Sequence, residues 1–253
     1  MYFPKPGEQY DPMSPLVADI DLGNDEYFAF CTEFKYLGTI FTPSLDIETD
    51  ISNRIKKATG AFGSMRNVLT DNKIPVPQRM RLFDATVTNI LLWGCESWSL
   101  KVEDRRRLEV CHHRCLRRML DITIYDVKEH GITNEQVRKE LGNCYSIEQI
   151  MELRRARWLE KIAKMDETRG PRKMLVAWTP QARSAGRPKQ TIKRAYADTV
   201  TNQLGFENDG FNTWMTVAKD YRTWARNTET QLKLTNWFAR SPCKPHIGYL
   251  TKY

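Results

Sequence analysis

From Asp46 onward, apolar residues stand at the spacing of a helix. Ile47, Ile51, Ile55, Ala58, Phe62, Met65 and Leu69 recur every three or four residues, which lays one apolar stripe along an amphipathic helix. Ser44 stands where an N-cap belongs, and Arg54, Lys56 and Lys57 fall largely off the stripe. Ile74-Pro75-Val76-Pro77 interrupts it; Met80, Phe83, Val87, Ile90 and Leu91 continue as a second helix that ends near Gly94. A third helix is expected over 102–120, with Leu108, Cys111, Cys115, Leu116 and Met119 facing inward. Three amphipathic helices with short joints predict a compact helical bundle.

The segment before Asp46 has a different character. Four prolines and a glycine in residues 1–15 predict an irregular stretch. Leu16–Leu22, Tyr27–Cys31 and Phe34–Phe41 read as three strands, giving a small antiparallel element. Beyond the bundle, Ser146–Met165 predicts one long helix, with further helices over about 191–204 and 214–226. The expected fold is therefore mainly α with a small N-terminal antiparallel β element: residues 1–45, a helical bundle over 46–125, a basic helical region over 126–230, and a loop-like tail over 231–253.

Charge narrows the function classes. The net charge of +8 hides an asymmetry: residues 1–50 carry ten Asp or Glu against Lys5 and Lys35, so residues 51–253 carry +16. A basic body on a folded chain points to a polyanion. No apolar run approaches the roughly 20 residues a membrane span needs, and the N-terminus lacks the apolar region of a signal peptide. An intracellular protein, nuclear or cytoplasmic, is expected, its six scattered cysteines read as reduced thiols.

Cys111-His112-His113-Arg114-Cys115, with His130 and Cys144 beyond, invites a zinc reading. Cys111 and Cys115 instead fall four residues apart on the apolar face of a helix, the placement of buried thiols. The basic constellation is the stronger signal. Between Met151 and Arg194 stand thirteen Lys or Arg against four Asp or Glu, and Arg154, Arg157, Lys161 and Lys164 repeat at helical spacing. Such a row can meet phosphates, releasing counterions and making binding salt-dependent; the alternative is a solvated helix face. Arg183, Arg187, Lys189, Lys193 and Arg194 read as phosphate contacts. Ala185-Gly186-Arg187-Pro188 is similar to the centre of an AT-hook but lacks its flanking arginine. Arg114, Arg117 and Arg118 either track a nucleic-acid backbone or solvate the third helix. Trp158, between these cations, either stacks on a base or, as its helical position favours, packs into the core. Tyr196-Ala197-Asp198-Thr199 imitates a polymerase signature, yet its last residue is not a carboxylate, and two-metal nucleotidyl transfer needs clustered carboxylates.

A series of motifs carries a family resemblance over roughly residues 1–225. Phe34-Lys35-Tyr36-Leu37-Gly38 is followed by Arg54-Ile55 with Ala58 and Phe62, then Arg81-Leu82-Phe83. Next come Leu91-Leu92-Trp93-Gly94-Cys95-Glu96-Ser97-Trp98 and Arg114-Cys115-Leu116-Arg117-Arg118-Met119-Leu120. Arg154-Arg155-Ala156-Arg157-Trp158-Leu159 and Gly186-Arg187-Pro188 complete it. In this order the series resembles the end of the palm, the thumb and the C-terminal region of non-LTR (LINE-type) retrotransposon reverse transcriptases. A Trp frequent after Gly-Arg-Pro is Ile192 here.

The resemblance implies that residues 1–45 are a palm remnant and residues 46–125 a thumb. Phe34, Lys35, Tyr36, Leu37 and Gly38 would form a primer-grip hairpin, while Arg54, Lys56 and Lys57 would face a template–primer duplex of RNA or DNA. The palm's Tyr-x-Asp-Asp element is absent, so the polymerising carboxylates would lie upstream of Met1. The expected activity is nucleic-acid binding without catalysis and without a cofactor of its own, magnesium being needed only by the missing palm. A stand-alone or domesticated helical protein-interaction module is the competing expectation.

Overall fold

A computed structural model describes residue 11 and residues 20–23, 26–28, 30–43, 47–176, 196–197, 199–206 and 212–232. The protein is mainly α, with small antiparallel β elements on its N-terminal side. β1 (Ile20–Gly23) pairs antiparallel with β2 (Glu26–Phe28). β3 (Phe34–Tyr36) pairs with β4 (Thr39–Phe41), placing Phe34 opposite Phe41 and Tyr36 opposite Thr39. The sequence pattern reads Phe34–Phe41 as one strand; the chain instead reverses at Leu37-Gly38, with φ of 48° and 88°. Two successive positive φ angles make the tight turn whose twist suits a two-residue hairpin.

The apolar stripe becomes α1 (Glu48–Ser64) and a further turn, α2 (Arg66–Leu69), after a break at Met65. Ile47, not Ser44, precedes the first helical residue, and it offers no capping side chain. Two prolines then set the start of α3 (Val76–Phe83), where a missing N–H costs nothing. A π-turn over Asp84–Thr88 carries that helix into α4 (Asn89–Leu91). Gly94, at φ 76°, ends it, and a 3-10 turn over Cys95–Ser97 leads to α5 (Val102–Met119).

These helices share one core. Ile51, Phe62, Phe83, Leu91, Leu108 and Leu116 are fully enclosed, and Phe62 meets Phe83 edge-on at 6.4 Å between centroids. Two short helices that hydrophobic periodicity does not announce follow: α6 (Ile124–Glu129) and α7 (Asn134–Glu140). Each opens on a capping box, Thr123 with Asp126 and Thr133 with Gln136. The reciprocal bonds satisfy N-terminal donors that so few residues of packing leave exposed.

α8 (Ile147–Lys164) opens on a third capping box, Ser146 with Gln149. Its first turns, with Ile147, Ile150 and Met151, belong to the first core. Leu153, Ala156, Leu159 and Ile162 belong to a second core, completed by Tyr196, Val200, Trp214 and Trp224. Trp158 packs against this second core, as expected. α9 (Gly170–Val176), a π-turn over Thr199–Gln203, α10 (Asn212–Lys219) and α11 (Tyr221–Gln231) complete the described chain. The single helix expected over 214–226 is broken at Asp220, which caps α11 by accepting the Arg222 N–H.

A buried ion pair fastens hairpin to bundle. Arg54 Nε donates to Asp50 Oδ2 at 2.8 Å, and neither residue exceeds 5% exposure. Asp50 Oδ1 also accepts the Ile40 N–H, while the Arg54 guanidinium donates to Gly38 O and Thr39 Oγ1 and lies 5.8 Å from the Trp98 ring centroid. Removing one member leaves the other charge buried without its partner. Arg54→Met is expected to destabilise the fold by about 3 kcal/mol, measured by urea denaturation. Asp50→Leu combined with Arg54→Met should recover part of the loss, the Ile40 N–H remaining without its acceptor.

Candidate nucleic-acid interface

The motifs scattered along the sequence meet at one turn, Leu92–Trp98. Leu92 O accepts from Arg154 Nη1 at 2.9 Å, and Trp98 O accepts from Arg155 Nη2 at 3.1 Å. Glu96 O accepts from the Tyr196 hydroxyl at 2.7 Å. The Trp98 ring lies beside Arg54, and a methyl group at Gly38 would stand 3.6 Å from Trp93 Nε1. The hairpin, α1, α8 and the segment at Tyr196 are thereby held in one arrangement.

That arrangement sorts the expected binding residues. Arg54 is buried in its ion pair, so the expectation that it faces a duplex is corrected: its guanidinium is spent on Asp50 and the hairpin turn. Arg154 is half-buried and donates to Leu92 O and Asn89 Oδ1, which makes it a clamp between α8 and α4. Arg117 is half-buried and donates to Asn134 Oδ1 at 3.2 Å. Arg157 lines a cavity. Lys164 pairs with Glu160 at 2.6 Å and lies 5.8 Å from the Tyr221 ring centroid, while Lys161 is exposed. The α8 row is thus a set of separate tasks. Arg183, Arg187, Lys189, Lys193 and Arg194 lie outside the described residues.

An exposed basic seam remains between α1 and α5. Arg107 Nη2 donates to Ser52 Oγ at 2.6 Å, and Thr59 Oγ1 stands 4.0 Å from Cys111 Sγ, so the two helices run side by side. At about 100° per residue, Lys56 lies about 40° around α1 from Ser52, on the side away from Thr59, while on α5 Arg118 falls between Arg107 and Cys111 and Arg114 about 20° beyond Arg107. All three cations are exposed, as is Lys57 on the hairpin-side flank of α1. Gly60 and Gly63 lie on the exposed part of α1, and a Cβ on either would meet nothing within 4 Å. Gly60, inside the helix, costs roughly 0.5–1 kcal/mol, Gly63 stands in the last turn, and no side chain packs over either position. Sequence reasoning missed these two; the signal was a pair of glycines inside an otherwise regular helical stripe.

The hairpin presents apolar surface at its tip. Phe34 and Tyr36 stack at 6.4 Å between centroids and are exposed, Leu37 is 78% exposed, and Trp93 beside them is 59% exposed. Lys35 is exposed on the same strand. A leucine at φ 48° is an uncommon and strained choice.

Over 197 residues, 76% of this chain and 68% of the relative, the sequence is 24% identical to a Caenorhabditis elegans protein described as uncharacterized and transposon-derived. No family model matches the chain. No solved structure matches it.

The Tyr196–Thr199 stretch places Tyr196 in a helical turn, buried against Glu96 O, and Thr199 in a π-turn, its hydroxyl donating to Glu152 Oε2 at 2.6 Å. These are packing and clamping roles. Cys111 and Cys115 are buried on α5. Their mutual hydrogen bond draws Cys111 down, aided by Thr59 and by the Arg114 and Arg118 charges, and pushes Cys115 up. His112 packs on Phe83 at 5.5 Å and burial pushes its pKa down to about 3, so it is neutral. His113 contacts Glu109 O and Arg138. Among the described residues, no three or more His, Cys, Asp or Glu side chains are grouped to hold a metal, and no helix is long and apolar enough to cross a membrane.

Asp84, at the start of the first π-turn, is raised from 3.8 to about 6 by burial, against the Thr88 hydroxyl bond and the Arg154 charge that favour its ionised form. The folded protein therefore holds this proton more tightly than the unfolded chain, and stability falls as pH rises from about 4 to 6. Asp84→Asn is expected to be more stable than the parent at pH 7–8 by about 1–2 kcal/mol, allowing for partial solvent access. The difference should vanish below pH ~4 in denaturation curves recorded across that range.

Proposed function

We propose that this chain derives from the thumb and C-terminal region of a LINE-type reverse transcriptase and that its own role is to hold nucleic acid through phosphates. Copying is assigned to no residue of this chain. The observation that carries the reading is the α1–α5 seam: Lys56, Arg114 and Arg118 exposed beside two glycines with open space above them. Cations neutralise phosphates, and the absence of side chains at Gly60 and Gly63 lets a sugar–phosphate backbone approach the helix closely. The transposon-derived description of the relative fits an origin in a mobile element.

The hairpin supplies a second contact in this reading. Phe34, Tyr36 and Leu37 are positioned to lie against a base or sugar at the strand terminus, with Lys35 near its phosphate and the buried Asp50–Arg54 pair holding the turn rigid behind them. The exposed apolar tip also fits the competing role, a module that binds a protein partner through Phe34, Tyr36, Leu37 and Trp93.

Salt dependence separates the two. Fluorescence anisotropy with an RNA–DNA duplex should show affinity falling steeply between low and moderate salt. Lys56→Glu, Arg114→Glu and Arg118→Glu together should flatten the log–log slope by roughly 2–3, near 0.9 per lost phosphate contact. Gly60→Ala should stabilise the fold by about 0.5–1 kcal/mol, whereas Gly60→Leu should weaken duplex binding. Duplex affinity insensitive to salt and to the triple charge reversal would sink the phosphate reading and favour the protein-partner one.

A further inference from the structure

We infer that the cavity beside the first π-turn is a binding site for a planar, hydrogen-bonding heterocycle joined to a phosphate, the chemistry of a nucleotide. The cavity has a volume of about 710 Å³, within the range of roughly 300–1,000 Å³ usual for small-molecule sites. It lies among α3, the π-turn, α5, the loop after α7 and the start of α8. Its lining includes none of the seam cations Lys56, Arg114 and Arg118 and no hairpin residue.

Three kinds of surface line it. His112 is 1% exposed and neutral, and its Nδ1 has no hydrogen-bond partner. Asp84, bound by the Thr88 hydroxyl at 3.1 Å, lines the same space. Met80 and Ile150 give it apolar walls, and Arg81, exposed, brings a cation to the lining. A π-turn is a recurrent mark of functional sites because the extra residue re-aims side chains; here it contributes Asp84, Ala85 and Thr88 to the lining.

The lining selects among ligand classes. A purely apolar occupant would leave His112 Nδ1 without a partner in a dry site, and would give the Asp84 carboxyl nothing beyond its Thr88 bond. An inorganic anion would bring Asp84 no compensation and would leave the apolar walls uncovered. A heterocycle with donors and acceptors on its edge meets His112 and Asp84, its faces meet Met80 and Ile150, and its phosphate meets Arg81. Such a ligand arrives either as a free mononucleotide or as the terminal nucleotide of a strand.

Calorimetry of the full chain with AMP, adenosine and inorganic phosphate tests the site. AMP should bind, and Arg81→Gln should weaken it about tenfold, the scale of one charge-assisted contact, while adenosine is unchanged. His112→Phe keeps a ring against Phe83 and should weaken AMP and adenosine alike. If that variant fails to fold, Ala85→Trp obstructs the cavity from its exposed rim and should abolish AMP binding. No heat with AMP, AMP affinity unchanged in both Arg81→Gln and Ala85→Trp, or phosphate alone matching AMP would overturn the inference. Competition by 5′-phosphorylated tetra-adenylate tighter than AMP assigns a strand end, and weaker competition a free nucleotide; both support the site. Duplex affinity in Arg81→Gln should stay unchanged, so failure here and failure of the seam are read separately.

Discussion

The backbone carbonyls of one short turn hold most of this fold in register. Leu92 O, Glu96 O and Trp98 O accept from Arg154, Tyr196 and Arg155 respectively, donors that come from 57 to 100 residues further along the chain. Buried carbonyls must find partners, and a bond from a charged donor contributes about 1.5–3 kcal/mol. Gly94 makes the turn possible: its φ of 76° is open to glycine and strained for almost any other residue here. Two cores that α8 alone would join are thereby tied at a second place.

A second buried ion pair reinforces that tie. Arg155 Nη1 meets Glu152 Oε1 at 2.7 Å, and Glu152 Oε2 accepts from Thr199. Both carboxylate oxygens are thus used, which offsets part of the desolvation cost of burying the pair, while Arg155 Nε has no hydrogen-bond partner. The Asp50–Arg54 pair has the same design on α1, with Ile40 N–H, Gly38 O and Thr39 Oγ1 in place of Thr199 and Trp98 O. In both, an acid and an arginine one helical turn apart organise a neighbouring segment that has little core of its own.

Much of the architecture was legible because it rests on period. The stripe from Ile47 to Leu69, the long helix from Ser146 and the inward face of the third helix all follow from side chains that must leave water. The hairpin was read as one strand because Leu37 gives no turn signal, and only Gly38 hints at the reversal. Residues 124–140 escaped because their helices are held by capping boxes rather than by an apolar stripe. The interface was less legible. Sequence counts an arginine as a surface charge, yet Arg54 and Arg155 each stand three or four residues after an acid they are buried with, a spacing that the expectation of Arg54 facing a duplex leaves unused.

Those arginines change what the basic composition means. Arg79 donates to Leu69 O and Met119 O, the last carbonyls of α2 and α5, and Arg172 donates to Ala163 O and Met165 O at the end of α8. With Arg154 and Arg155 on the Leu92–Trp98 turn, these side chains serve as internal clamps on helix ends and turns, where a planar guanidinium can satisfy two carbonyls at once. Their charge contributes to the long-range field, but these contacts hold the guanidinium groups against the protein's own carbonyls. The +16 of residues 51–253 therefore overstates the number of phosphates the body can grip. Under the proposed phosphate reading, the cations open to a ligand are the smaller exposed set, Lys56, Lys57, Arg114 and Arg118, whose unburied heads cost little to redirect. A binding surface built this way should have a salt dependence set by a handful of contacts, not by the net charge of the chain.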